Sequence, residues 1–221
     1  MMEAELTKAG LYPTLERPAI DLERFVARHL KVDLDQHANL DPQVLGLTEF
    51  FPGSAPKISI NRDLTNAIDD DDTEPGLRGR WRATLAHEAS HVLMHRILFD
   101  VARGQNSLFG VEEPSGGGQL MRCLKKCVLF RAGGSDPREV QANMGMAALL
   151  MPERFFHTLI PDLIRELNLD VEKLVAGSSS AEQLAMLIRD CCEVSKQAAL
   201  IRLETTRIVS PRGQNSLFTM R

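Results

Sequence analysis

The sequence predicts an α+β fold, and three features carry that expectation. Two strand-like runs, residues 44–51 (VLGLTEFF) and 57–61 (KISIN), flank the turn-rich PGSAP and read as a hairpin. Residues 79–97 (GRWRATLAHEASHVLMHRI) place Trp81, Leu85, His87, His91, Val92 and His95 at helical spacing. After Ser135-Asp136-Pro137, an acidic cap and a proline at the first position open a second helix.

Composition sets the frame for these elements. A chain of 221 residues supports one sizeable core, or a core with a small appended domain. With 43% hydrophobic and 25% charged residues, it has the make-up of an ordinary globular protein. A net charge of −4 offers no global field for nucleic acid. No run approaches the roughly 18 apolar residues of a membrane span, and MMEAELTKAG has no apolar signal core. A cytoplasmic protein with no membrane partner is therefore expected. Cys123, Cys127, Cys191 and Cys192 form no CxxC pair, so thiols in a reducing compartment are expected rather than a four-cysteine zinc site.

Residues 18–31 read as a short amphipathic helix begun by Pro18 and Asp21. The acidic run 69–72 reads as a solvated loop, because the ligand and glycine spacing of a calcium loop is missing. Residues 100–137 are expected to be irregular, with a short helical piece near residues 120–130. The second strong helix should stop before Pro152. Helical patterns follow at residues 153–167, 181–191 and 195–207. The expected organisation is a first domain over residues 1–155, a helical subdomain over 156–210 and a flexible tail over 211–221.

His87-Glu88-Ala89-Ser90-His91 is an HExxH motif. On a helix, residues four apart share a face, so both imidazoles can reach one ion. Glu88 is placed to reach a water at that ion without binding the ion itself. Zinc lowers the pKa of bound water to about 7, and a neighbouring carboxylate can then act as the base for attack on a carbonyl. A catalytic zinc takes three protein ligands and leaves one position open. Position 97 is Ile, which excludes the metzincin pattern. His95 lies two turns from His87, roughly 12 Å along the axis, and reads as a packing or supporting histidine. Glu139 opens the second helix, and Asn143 follows four residues later, where it can orient a ligand histidine. From the residues alone, Glu139 is equally a third ligand or an exposed first-turn carboxylate favoured by the helix dipole.

TLAHEASHVLMH followed by EVQANMGMAALLMP resembles the ImmA/IrrE family of metallopeptidases. The first segment matches at Thr84, Leu85, Ala86, His87, Glu88, His91 and His95. The second matches at Glu139, Ala142, Asn143, Ala147, Leu149, Leu150, Met151 and Pro152. The resemblance covers roughly residues 18–155 and runs more weakly to about 207. It implies a zincin-like fold of the gluzincin type, one zinc ion and Glu139 as third ligand. It also implies a helix-turn-helix repressor as substrate, cleaved to switch on stress or mobile-element genes. By the same analogy, strand 57–61 or its hairpin partner is the edge that holds an extended peptide. The sequence departs from the family pattern at Ser90 (usually Gly), Gln141 (usually Glu) and Gly145 (usually Phe), and in the long segment between the two motif helices. Tyr12, His157 and Arg138 are candidates for stabilising an oxyanion, with nothing to choose among them.

Residues 181–207 carry a helix-turn-helix pattern in which Ser195 caps the second helix. Lys196, Arg202 and Arg207 would face phosphates in a DNA-binding reading; two packing helices are the alternative, favoured by the sparse basic residues. A regulator that binds DNA or protein and keeps a non-catalytic metal site is thus the competing function. Finally, RGQNSLF occurs twice, at residues 103–109 and 212–218. QNSLF resembles the peptide by which bacterial replication proteins dock on the sliding clamp, with Leu217 and Phe218 as apolar anchors and Gln214 hydrogen-bonded. Alternatively, one copy occupies the chain's own cleft, or the repeat has no partner.

Overall fold

The structure, a computed structural model, describes residues 1–51, 54–68, 75–108, 119–124, 136–170 and 174–210. Helix α1 (Met2–Ala9) buries Met2 and Leu6, one turn apart, and ends where Gly10 turns left-handed at φ 67°. Helix α2 (Leu22–Arg24) is capped by the Asp21 carboxylate, which accepts from the Arg24 N–H. It continues as a π-helical turn, Phe25–Leu30, and stops at Lys31, φ 54°. Asp21 rather than Pro18 therefore sets the start of the helix expected over residues 18–31.

Strands β1 (Asp33–Ala38), β2 (Val44–Phe50), β3 (Lys57–Asn61) and β4 (Gln119–Leu124) form one sheet in the order β1-β3-β2-β4. The expected hairpin is β2–β3, antiparallel, with Thr48 opposite Ile58 and Gly46 opposite Ile60. β1 runs parallel to β3, and β4 runs antiparallel along the other side of β2. Two expectations change here. The segment around residues 120–130 is not helical over its described part: it is β4, because the backbone groups on the outer side of β2 offer pairing that local periodicity does not reveal. Nor is β3 or β2 an edge strand. Both are paired on both sides, so the outer strands are β1 and β4.

Helix α3 (Arg62–Asn66) follows β3 directly, capped by Asn61. Helix α4 (Pro75–Leu108) extends well past the expected 79–97, so residues 103–108 of the first RGQNSLF copy are helical rather than part of an irregular loop. The second copy, and with it the expected tail, lies outside the described residues, as does the acidic run 69–72. Helices α5 (Pro137–Leu150), α6 (Glu153–Glu166), α7 (Ser179–Cys192) and α8 (Lys196–Thr205) complete the chain.

α4 lies between the sheet and α5. Its Leu85, Ala86, Ala89 and Val92 are buried, as are Ile58 and Ile60 of β3 and Leu149 and Leu150 of α5. Helix-to-helix approach depends on Gly145: a Cβ there would sit 2.7 Å from Ser90 Oγ and from Met94 Cε. One apolar cluster runs from Met2 to Val209 and takes in Leu184, Ile188 and Leu203 of α7 and α8. The division expected after residue 155 falls inside α6. Among the described residues, no helix is long and apolar enough to cross a membrane.

Candidate metal centre

Helical geometry brings the two motif histidines together. His87 and His91 stand one turn apart on α4, and their Nε2 atoms are 3.0 Å from each other. Both residues are fully buried. α5 delivers Glu139 from its first turn, placed there by the Asp136 cap, whose carboxylate accepts from Arg138 N–H. Glu139 Oε2 is 3.2 Å from His87 Nε2, and Oε1 is 3.4 Å from His91 Nε2. The three candidate ligand atoms all lie within 4.8 Å of one another.

Neighbouring groups orient the rings. Asn143, one turn after Glu139, places Oδ1 3.0 Å from His87 Nδ1. An amide oxygen only accepts, so His87 carries a proton on Nδ1 and turns Nε2 toward Glu139. His91 Nδ1 lies 3.0 Å from His95 Nδ1, and His95 Nε2 lies 3.0 Å from Gln141 Oε1.

The charge balance at this point is unusual. Burial lowers the affinity of His87 for a proton, but the adjacent Glu139 and the charge of Glu88 outweigh it, so its pKa is raised. His91 goes the other way: burial, then the nearness of His87 and His95, push its pKa down to about 2. Glu139 Oε2 is buried and makes no hydrogen bond. Two imidazole nitrogens facing a carboxylate oxygen left without a donor is a donor set suited to one divalent cation. The site fits a metal, and the residues that would hold it are His87, His91 and Glu139.

Glu88 lies outside this ligand set. It faces β2, where the Thr48 hydroxyl donates to Oε2 at 2.5 Å. Gly46 makes room for it: a Cβ there would lie 2.8 Å from Glu88 Oε1 and from Thr84 Cγ2. Thr48 and Gly46 are contacts of Glu88 that sequence reasoning missed. Their signal, a glycine and a buried threonine two apart in a strand, is common in sheets and acquires meaning only from what packs against it.

Glu139 and Asn143 also line an open groove of about 1450 Å³. Val140, Met144 and Ala147 of α5 share that lining with Ile201 of α8. Tyr12 lines it too, its pKa raised by burial. Of the other oxyanion candidates, Arg138 pairs with Asp136 at 2.5 Å, and His157 lies exposed on α6.

The basic residues of the tail helices are engaged with the protein. Lys196 pairs with Glu182 at 2.5 Å. Arg202 turns inward, and its Nε donates to the Met151 carbonyl at 3.0 Å. Arg207 is exposed at a left-handed position, φ 59°. Cys191 and Cys192 are free thiols.

No protein-family model matches the chain, and no curated protein matches it.

Proposed function

We propose that the protein is a zinc-dependent endopeptidase. The observation that carries this reading is the convergence of His87 Nε2, His91 Nε2 and the Glu139 carboxylate, with Glu88 beside His87 but outside the ligand set. When bound, zinc supplies a Lewis acid that polarises a carbonyl and brings the pKa of a coordinated water near 7. The chain's own residues do the rest. Asn143 accepts the His87 Nδ1 proton and so turns Nε2 toward the point where a metal would sit. Thr48 fixes the Glu88 carboxylate through Oε2, so that Glu88 can take a proton from the attacking water and return it to the leaving amine nitrogen.

A peptide substrate is favoured over a small molecule by the groove, whose volume of about 1450 Å³ exceeds the ~300–1,000 Å³ usual for small-ligand pockets. The resemblance of the two motif helices to the ImmA/IrrE pattern supports a regulatory role, with a helix-turn-helix repressor as the protein cut. Two departures from that pattern compensate each other. Ser90 and Gly145 face one another, and the missing side chain at 145 leaves room for the added hydroxyl at 90.

The test is co-expression with a candidate repressor, with and without a chelator. Wild type is expected to cut it only when metal is present. Glu88→Gln is expected to keep the metal and lose cleavage by about 10²-fold or more, the scale of a general base. Undiminished cleavage by Glu88→Gln would remove Glu88 from the chemistry. The competing reading, a DNA-binding regulator, gains nothing from Lys196 and Arg202, whose charges are directed at Glu182 and Met151.

A further inference from the structure

His91 is oriented by His95 and Gln141, and we propose that these two are positioning residues that set the His91 tautomer required for metal binding. The inference rests on the metal half of the proposed function and is independent of the peptidase half.

Two ring nitrogens 3.0 Å apart need one proton between them, and His91 Nδ1 and His95 Nδ1 are so placed. Which ring supplies that proton is decided at the far side of His95. There Nε2 is 3.0 Å from Gln141 Oε1. An amide oxygen only accepts, so His95 carries its proton on Nε2 and leaves Nδ1 as a lone pair. His91 must then donate from Nδ1, and its own Nε2 is left bare. That lone pair accepts from His87 Nε2, 3.0 Å away, lies 3.4 Å from Glu139 Oε1, and is the one a cation would take. His95 is 1% exposed, so bulk water does not compete for its ring.

The chain of donors can also run backwards. With the Gln141 amide reversed, its NH₂ would donate to His95 Nε2, His95 Nδ1–H would donate to His91, and His91 would keep its proton on Nε2. A cation would then have to displace that proton to bind. Glutamine permits both directions, whereas a carboxylate at the same position permits only the productive one. Gln141 is therefore the place where the readiness of His91 is set, two hydrogen bonds and two imidazole rings away from where the cation would bind. Its side chain is exposed, so it can be changed without opening the core.

The experiment uses the full chain and two readouts. Zinc affinity is measured by competition with a chromophoric chelator for wild type, Gln141→Leu and Gln141→Glu. The His91 tautomer is read in the metal-free protein from imidazole ¹⁵N shifts. Wild type is expected to carry the His91 proton on Nδ1. Gln141→Leu is expected to bind zinc about 10–100-fold more weakly, the usual cost of losing such a partner. Gln141→Glu is expected to restore affinity to the wild-type level or above. A His91 proton found on Nε2 in wild type overturns the proposal, as does a Gln141→Leu affinity within about two-fold of a zinc-binding wild type. A wild type that binds no zinc defeats the metal reading instead, and the tautomer measurement still decides this one.

Discussion

The α4–α5 pair and the α7–α8 pair present side chains at similar helical spacing, and they use them in opposite ways. On α4 and α5, two imidazole nitrogens and a carboxylate turn toward one point, and the groups behind them fix their lone pairs there. On α7 and α8, the cations turn toward partners already within the protein: Lys196 to Glu182, and Arg202 to a backbone carbonyl. The lesson is that spacing nominates residues, while convergence on an unsatisfied point distinguishes a site from packing. Glu139 Oε2 is such a point.

The comparison can be broken most sharply at Glu139. Glu139→Ala removes a ligand outright, so its metal affinity should fall by more than the roughly 10–100-fold that an outer partner costs. Calorimetric titration reads this directly, and unaltered affinity would mean that α5 contributes no ligand. Next is Arg202→Ala, which should act as a packing substitution. Losing a charge-assisted bond to the Met151 carbonyl costs about 1.5–3 kcal/mol, with the upper part of that range excluded by partial exposure. Chemical denaturation checks it. Lys196→Ala, whose ion pair is largely exposed, should change stability by under about 1 kcal/mol.

An effect confined to acid concerns Asp136, whose hydrogen bonds from Arg138 hold its pKa at about 2. Because the folded value lies below the unfolded one, its contribution is complete above about pH 4 and is lost as pH falls toward 2. Asp136→Asn keeps a good cap and should flatten that acid dependence. Asp136→Ala should also cost about 1 kcal/mol of stability from the lost cap. Urea midpoints measured from pH 2 to 5 separate the two variants.

The parts of the molecule that the sequence made legible are those governed by local rules. The β2–β3 hairpin, the α4 motif face and the start of α5 at Asp136-Pro137 depend on turn residues, i,i+4 spacing and a cap. Asn143 was likewise readable from its spacing after Glu139. What depended on distant pairing was not. β1 has little alternation in DLDQHA and exists because β3 offers a parallel partner. β4 forms along β2 between partners far apart in the chain, from Phe50 with Gln119 to Val44 with Leu124. The N-terminal α1 had usable signals in Met2, Leu6 and Gly10, which would have identified it had they been weighed as a helix. Thr48 and Gly46 matter to the site only through their contact with Glu88, which neither strand nor helix periodicity contains, and their role follows the one proposed for Glu88.

The central claim is that His87, His91 and Glu139 hold one divalent cation. X-ray absorption on the zinc-loaded chain, with metal content measured alongside, tests it most directly. The account predicts one zinc per chain, with two imidazole nitrogens and a carboxylate oxygen around it, and loss of that metal in Glu139→Ala. Zinc surrounded by sulfur, or zinc retained at full stoichiometry in Glu139→Ala with the same surroundings, would contradict it.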